Sequence, residues 1–214
     1  MREKFKEEFY YLFWIFIFGC IAGWIIEGIF SFLRYGVLIN HSAVVIGPFN
    51  IAYGLAACFL SFLLVKYKDD SYFKIFCIGF VGGTILEYIM SWGMELLLGF
   101  TAWDYSHRFL NINGRVCLLY SLFWGVLAIL WIKVIYPFLL RFVQKINYSF
   151  GKKMMVFLIV FLIFDICLTL ISVNRAREFE RGIPPENKFE EVLDQTFNQD
   201  YLTNMYNNNW GEKE

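Results

Sequence analysis

Long apolar runs separated by short polar connections occupy most of the chain. A helix needs about 20 mostly apolar residues to cross the hydrocarbon core of a bilayer. Five runs meet or approach this length, at 9–32, 48–65, 72–98, 116–140 and 154–173. The pattern therefore predicts an all-α fold, in which residues 1–173 form a polytopic membrane helix bundle of about five transmembrane helices.

The second run is the shortest of the five, and it begins at Gly47-Pro48. Proline suits the first turn of a helix because its missing N–H would have no partner there. We therefore expect Pro48 to lie in the first turn of the second helix. The segment 44–47 before it is apolar, which favours a re-entrant or buried connection over an exposed loop.

The composition changes after Val173, and residues 174–214 are mostly polar. Four apolar side chains in this tail nevertheless recur at helical spacing, namely Phe189, Val192, Leu193 and Phe197. A second short helix is expected around 201–206, with Asp200 as its N-cap. We interpret the tail as a short helical cap that folds back over the outer face of the bundle.

Two parts of the chain resemble each other. The sequence GWIIE at 23–27 is similar to GTILE at 83–87, and residues 40–54 align with 111–125. The first pair of segments is 60 residues apart and the second pair is 71 residues apart, so the second copy contains an insertion of eleven residues between them. We infer a duplicated two-helix hairpin whose copies enter the membrane from the same side, as parallel repeats do. Chance similarity between glycine- and phenylalanine-rich helices is the alternative.

The composition supports a membrane protein and excludes several other classes. Of the 214 residues, 58% are hydrophobic and 18% are charged, against about 45–50% and about 25% in soluble domains. The formal net charge is zero, so no basic face is available to bind nucleic acid. Membrane lipids are the partners that this composition implies.

Motifs for common cofactors and metals are absent from the sequence. The five cysteines form no CxxC pair and no Cys/His cluster, and only two histidines are present, so we expect no zinc site and no disulfide framework. There is no GxxxxGK[ST], HExxH or GxSxG motif. We therefore assign no catalytic residue, no cofactor and no metal, and only a site made of carboxylates alone stays open as a metal site.

Lysine and arginine residues indicate the orientation, because cytoplasmic connections carry an excess of both. Eleven of them lie at the N-terminus and in the second and fourth connections, whereas the first and third connections contain only Arg34, Arg108 and Arg115. We therefore place the N-terminus in the cytoplasm and the C-terminus outside. The first apolar run is longer than the ~7–15 residues of a signal-peptide core, which predicts a retained helix.

With this orientation, the polar residues that a membrane tolerates least converge on the extracytoplasmic half. Intramembrane charges are functional by default, so we expect an outward-facing polar and charged cleft that binds a ligand. Its predicted residues are Glu27, Arg34, Asn50, Glu87, Glu95, Trp103, Asp104, Asn113, Arg115 and Arg175.

Two interpretations of Glu27 and Glu87 stay open. As functional groups, they would bind a cation or form a general acid/base pair. As structural groups, each would pair with an arginine, either Arg34, Arg115 or Arg175.

The connection after the third run contains two further candidates. An interfacial aromatic belt explains Trp103 but not Asp104, which would pair with Arg108 or Arg115 or cap a turn. Arg115 precedes the fourth helix, where a cation opposes the macrodipole. It therefore requires an anion, and Glu87, Asp104 or a bound ligand would supply it.

These motifs resemble the bacterial CmpB-type family of integral membrane proteins, described as "putative ABC transporter type IV". The resemblance rests on GWIIE, GPFNIAYG, ILEY, WDYS and NxNGRxC, and on RxxExGIP in the tail. It covers essentially the whole chain. It implies a non-enzymatic membrane component of a transport system, which would need a separate ATPase subunit because the chain has no nucleotide motif.

Two other functions stay open beside transport. Glu27 or Glu87 could serve as the acid/base of a membrane-embedded enzyme acting on a lipid or cell-envelope intermediate. The chain could also be a sensor or scaffold that acts through its C-terminal cap. Because five spans are few for a transport pathway, we expect a homodimer.

Overall fold

The computed structural model describes residues 2–99, 101 and 103–206, and within these ranges the fold is all-helical. The helices are α1 (Arg2–Tyr35), α2 (Ile51–Leu64), α3 (Tyr72–Leu98), α4 (Leu118–Leu130), α5 (Tyr136–Gln144), α6 (Tyr148–Glu180), α7 (Lys188–Thr196) and α8 (Gln199–Tyr206). A π-helical turn, Trp131–Ile135, joins α4 to α5, and a 3-10 turn, Val65–Tyr67, extends α2.

Among the described residues, four stretches are long and apolar enough to cross a membrane: Lys6–Tyr35, Tyr72–Leu97, Leu118–Gln144 and Tyr148–Glu180. They correspond to the first, third, fourth and fifth predicted spans. The second predicted span is a shorter apolar helix, Ile51–Tyr67. At about 1.5 Å per residue it is roughly 25 Å long, somewhat less than the ~30 Å hydrocarbon core.

The expectation that Pro48 lies in the first turn of this helix is wrong. Asn50 is the N-cap residue of α2, and its backbone N–H donates to the carbonyl of Cys20 on α1 (3.1 Å). The N–H of Ala43 donates to the carbonyl of Phe49 (2.9 Å), and Gly47 has φ +84°. These bonds close the residues around Pro48 into a loop before the helix begins.

The segment 44–47 is a buried connection only in its first half, because Ile46 and Gly47 are exposed. Val44 and Val45 are buried, and two backbone amides of the segment donate to side chains of α6. These side chains, on Thr169 and Asp165, satisfy amides that would otherwise be buried without a partner. The α1–α2 connection, residues 36–50, is thereby attached to α6.

The two helical hairpins pack in the same way. On α1, Gly23 contacts the ring of Tyr53, and a Cβ at this glycine would lie 2.2 Å from the ring Cγ. On α3, Gly83 contacts the ring of Trp124, with 2.4 Å for the same distance. Small residues allow such close approach between membrane helices. Gly83 follows Gly23 by 60 residues and Trp124 follows Tyr53 by 71 residues, which are the two offsets that the repeat predicts.

A second pair of contacts, one helical turn away, follows the same offsets. A Cβ at Gly19 would lie 2.8 Å from the Cβ of Ala57, and one at Gly79 would lie 2.1 Å from the Cβ of Ala128. Two independent contacts at matching positions argue against chance similarity. The α1–α2 and α3–α4 hairpins are therefore structural repeats.

The tail folds back onto the end of α6, and its two predicted helices are α7 and α8. Leu202 and Met205 of α8 are buried in a cluster with residues of α6 and of the α1–α2 connection. The predicted N-cap of α8 is wrong: Asn198, two residues before Asp200, caps the helix by accepting from the N–H of Tyr201 (2.9 Å).

The inner face of α7 also differs from the predicted one. Leu193 is buried, but Phe189 and Val192 are more than half exposed. Asp194 faces inward instead, because it binds the buried guanidinium of Arg175 on α6. The ion pair of Asp194 and two of the four predicted apolar residues, Leu193 and Phe197, together decide which side of α7 packs against the bundle.

Candidate functional site

A pocket of about 170 Å³ lies at the end of the α3–α4 hairpin. Its lining combines one cation, two carboxylates, an amide and hydroxyl groups, contributed by Ser91, Glu95, Thr101, Trp103, Asp104, Asn113, Gly114 and Arg115. Five of the ten predicted site residues are among them: Glu95, Trp103, Asp104, Asn113 and Arg115. The pocket is smaller than the about 300–1,000 Å³ typical of sites for drug-sized ligands, so it suits a small molecule.

Arg115 lies two residues before the N-cap of α4 and spans the pocket. Its Nη1 donates to Ser91 Oγ (3.3 Å), and its Nη2 forms an ion pair with Glu95. The bond to Glu95 raises the pKa of Arg115 above its usual value, so the guanidinium stays charged. The anion that this position requires is therefore Glu95, and neither Glu87 nor Asp104 supplies it.

Asp104 caps a turn, one of the three roles expected for it. Its carboxylate accepts from the backbone N–H of Ser106 (2.8 Å) and from the Ser106 hydroxyl (2.9 Å). The backbone bond, followed by the hydroxyl bond, lowers the pKa of Asp104 below its usual value. Gly114 has φ +69°, and a Cβ there would lie 2.6 Å from Asp104 Oδ1. Glycine is thus required beside this carboxylate.

Trp103 and Asn113 complete the wall of the pocket. The indole N–H of Trp103 donates to the carbonyl of Arg115 (2.9 Å), and the amide of Asn113 donates to the hydroxyl of Tyr88 (2.9 Å). The first bond closes the loop on itself, and the second connects it to α3. The side chains that line the pocket are therefore held in place before any ligand enters.

Glu87 is buried, one helical turn along α3 from the pocket residue Ser91. It accepts hydrogen bonds from the hydroxyl of Tyr105 (3.1 Å) and from the indole N–H of Trp124 (3.1 Å). Burial raises the pKa of Tyr105, so this hydroxyl stays a donor. Glu87 thus connects the loop that forms the pocket to both helices of its hairpin.

Glu27 occupies the equivalent position in the first hairpin. Its carboxylate accepts from the hydroxyl of Tyr53 (2.6 Å), the residue that corresponds to Trp124. Within the described part of the chain neither Glu27 nor Glu87 forms an ion pair. The structural interpretation that pairs these glutamates with Arg34, Arg115 or Arg175 is therefore wrong.

The remaining predicted residues lie outside the pocket. Arg34 is exposed at the end of α1, with its guanidinium over the rings of Phe30 and Tyr35. The amide of Asn50 donates to the carbonyl of His41 (3.1 Å) in the α1–α2 connection. Arg175 is 3% exposed at the end of α6 and is bound by Asp194 of α7. The structure thus separates the ten residues into several groups.

Some residues of the site were not among the predicted ones. Ser91 lies on the same face of α3 as Glu87 and Glu95, so helical spacing could have found it. Trp124 could have been found from the repeat, because it matches Tyr53. Tyr105 lies in the insertion, where the first copy has no counterpart to indicate its role. Over the described ranges, no group of three or more His, Cys, Asp or Glu residues could hold a metal ion.

The sequence model of a family described as "Putative ABC-transporter type IV" matches residues 14–170. The match begins within α1, contains the rest of both hairpins, the pocket and most of α6, and ends before α7. No curated protein and no solved structure matches the chain. Because the match covers most of the sequence, the chain belongs to this CmpB-type family of "Putative ABC-transporter type IV" membrane proteins.

Proposed function

We propose that this membrane protein is the transmembrane component of a transport system, and that the pocket between Glu95 and Arg115 binds the transported solute. The family assignment and the four long apolar helices support a transport-related membrane protein. The observation that carries the proposal further is a charged, preformed pocket at the end of a mostly apolar hairpin.

Comparison of the two hairpins supports this role for the pocket. Glu27 and Glu87, with their aromatic donors, occur in both copies and are explained by the architecture of the hairpin. Arg115 corresponds to Val44 at the offset of 71, and Glu95 corresponds to Tyr35 at the offset of 60. The charged groups of the pocket are thus particular to the second copy, as expected for residues that bind a ligand rather than maintain the fold.

The chemistry of the pocket favours a small zwitterionic solute. A guanidinium binds carboxylate and phosphate groups through its planar array of donors, and Arg115 would bind the acidic group of the solute in place of Glu95. The carboxylates of Glu95 and Asp104 would then bind an amino group. Opposite charges in one small pocket suit a molecule that carries both.

Transport would require a separate ATPase subunit, because the chain contains no nucleotide-binding motif. A homodimer would provide more helices around a pathway than one chain has. If a tagged chain purified from its native membranes carries an ATP-hydrolysing subunit, the transport proposal is supported. An altered lipid or envelope composition after deletion of the gene would favour the enzyme instead, and loss of function on removal of residues 174–214 alone would favour the scaffold.

Arg115→Ala is expected to abolish solute binding without unfolding the protein. The purified wild-type chain should gain several degrees of thermal stability from at least one of glycine, alanine and glutamate, because a ligand that binds the folded state stabilises it. Arg115→Ala should show no such gain. The control Arg108→Ala changes an exposed arginine of the same loop and should respond like the wild type. Equal responses from Arg115→Ala and the wild type would exclude this pocket as the binding site.

We also propose that the pocket faces the cell exterior, as the distribution of lysine and arginine indicates. A cysteine in place of Ser106, beside the pocket, should react with a membrane-impermeant maleimide in intact cells. A cysteine in place of Asp69, in the α2–α3 connection, should react only after the membrane is permeabilised. Labelling of the native cysteines in the wild type provides the background. The reverse pattern would mean that the pocket is cytoplasmic.

A further inference from the structure

A single carboxylate, Asp165, lies in the middle of the apolar helix α6 and is completely buried. Its neighbours in the sequence LIFDICL are apolar except for a cysteine. Intramembrane ionisable residues are rare and usually functional, and their partners indicate their role. Asp165 lies outside the pocket described above, and the proposed transport function does not use it.

Asp165 and its neighbour one turn along the helix bind the backbone of the α1–α2 connection. Asp165 Oδ1 accepts from the N–H of Ile46 (3.0 Å), and Thr169 Oγ1 accepts from the N–H of Val45 (2.9 Å). The Thr169 hydroxyl in turn donates to the carbonyl of Asp165 (2.7 Å). Two consecutive amides are therefore bound by two adjacent side chains of α6.

The second carboxyl oxygen of Asp165 has no hydrogen-bond partner among the described residues. Oδ2 is buried without a hydrogen bond in the described part of the chain, and no cation there pairs with Asp165. An ionised carboxylate with a single hydrogen bond would leave its charge uncompensated in an apolar interior, which costs far more than burying a neutral carboxylic acid. A proton on Oδ2 removes this charge.

The geometry favours a proton over a metal cation as the occupant. Cations such as Ca²⁺ take six to eight oxygen ligands, and Mg²⁺ takes about six. The other buried side-chain oxygen of this helix without a hydrogen bond is Ser172 Oγ, which lies seven residues on and therefore roughly 10 Å along the axis. One ion cannot bind both oxygens, whereas a proton requires only one.

Helix α8 covers the connection that Asp165 binds. The hydroxyl of Tyr201 donates to the carbonyl of Val45 (2.8 Å), the residue whose own N–H binds Thr169. Leu202 and Met205 are buried in the same cluster as Val45. Removing α8 would therefore expose Val45 and give water a route to the buried carboxyl below it.

We propose that Asp165 is a proton-binding group, and that it holds its proton only while α8 is seated on the α1–α2 connection. When α8 leaves, water reaches Asp165, the O–H bond at Oδ2 breaks, and the proton passes to water while its electron pair stays on the hydrated carboxylate. Reseating of α8 reverses the step. The closed state thus binds one proton more than the open state.

The sign of the pH dependence follows from this proton count. Since the closed state binds the extra proton, raising the pH favours the open state, by at most about tenfold per pH unit. The elements packed against α6 carry other titratable groups, and none makes a hydrogen bond or ion pair with Asp165: Glu27 of α1, His41 of the connection, Glu95 of α3, Asp194 of α7 and Tyr201 of α8. Tyr201 nevertheless interacts electrostatically with Asp165, so the Asp165→Asn variant decides whether the pH dependence belongs to Asp165.

The test measures hydrogen exchange of α8 in the full chain, reconstituted in lipid nanodiscs, at about pH 5.5 and about pH 8.5. Exchange in α4, measured in the same sample, corrects for the intrinsic effect of pH on amide exchange. In the wild type, the hydrogen-exchange rate of α8 divided by that of α4 should rise at least about fivefold between the two pH values. In Asp165→Asn, which resembles the neutral acid, the ratio should stay at its low-pH value.

Two controls test whether Asp165 is the titrating group and whether the ion that it binds is a proton. Asp200→Asn removes an exposed acid of α8 itself and should keep the wild-type pH dependence. Replacing sodium by choline at constant pH should change nothing. A wild-type ratio that does not depend on pH, a dependence that persists in Asp165→Asn, or a dependence on sodium would each overturn the proposal.

A measurement on the wild type alone covers the case in which Asp165→Asn does not fold. The infrared difference spectrum between the two pH values should show loss of the carbonyl stretch of a buried, protonated carboxylic acid as the pH rises. If no such band is lost, Asp165 is not the proton-binding group.

Discussion

Arg175→Ala is expected to release α7 and α8 from the end of α6. Arg175 is buried, and its Nε and Nη2 donate to both carboxylate oxygens of Asp194 (2.8 and 2.9 Å). Its Nη2 also donates to the carbonyl of Ile183 (2.9 Å). Removing one partner of a buried ion pair leaves the other without compensation, so hydrogen exchange in α7 should accelerate by roughly tenfold or more.

Two further variants distinguish the loss of the Arg175–Asp194 ion pair from the mere loss of a positive charge at this end of α6. Arg181→Ala removes an exposed arginine near the end of the same helix and should leave exchange in α7 unchanged. Arg175→Lys keeps the charge but loses the two-point geometry of the guanidinium, so it should lie between the wild type and Arg175→Ala. Exchange in α7 at the wild-type rate in Arg175→Ala would show that apolar contacts alone hold the tail.

The membrane helices could be predicted from the length of the apolar runs, but their ends could not. Pro48 was expected in the first turn of α2, because its missing N–H would have no partner there. The backbone bond from Asn50 to Cys20 on α1 keeps this segment outside the helix. Such a bond joins residues 30 apart in the sequence, and no local preference indicates it.

In the candidate site, too, local groupings could be predicted from the sequence, whereas contacts between distant residues could not. Trp103, Asp104, Asn113 and Arg115 could be grouped from the sequence because they lie in one connection, and Glu95 lies just before it, in the last turn of α3. The partners of Arg175 could not, because Asp194 reaches it only after the chain reverses direction at Gly182, where φ is +74°. The sequence places charged residues near the membrane surface, but only the tertiary fold decides which of them meet.

The two hairpins also show why Glu87 is needed for the fold whether or not it binds a ligand. Gly83 allows the ring of Trp124 to lie against α3, and the indole N–H then reaches Glu87, four residues along the same helix. In α1, Gly23 allows Tyr53 to reach Glu27 in the same manner. A glycine, an aromatic donor and a glutamate therefore act as one unit, in which the glycine determines whether the donor can reach the carboxylate.

Gly83→Ala should accordingly weaken the whole α3–α4 hairpin. The added Cβ would lie 2.4 Å from Trp124 Cγ and 2.5 Å from its Cβ, so the helices must separate or the indole must move. Overpacking of this kind costs about 1–3 kcal/mol, which outweighs the gain of about 0.5–1 kcal/mol from replacing glycine within a helix. Unfolding by denaturant in detergent micelles would measure the net loss of stability.

Gly93→Ala is the matched control, because Gly93 lies on the same helix and a Cβ there would meet nothing within 4 Å. Gly93→Ala should gain the stability that comes from replacing a glycine within a helix, without a steric clash. Its free energy of unfolding should therefore equal or slightly exceed that of the wild type. Gly23→Ala should behave like Gly83→Ala, since it disturbs the equivalent contact with Tyr53. If Gly83→Ala is as stable as Gly93→Ala, close packing of the indole does not hold this hairpin together. The shared positions of the two copies would then need another explanation.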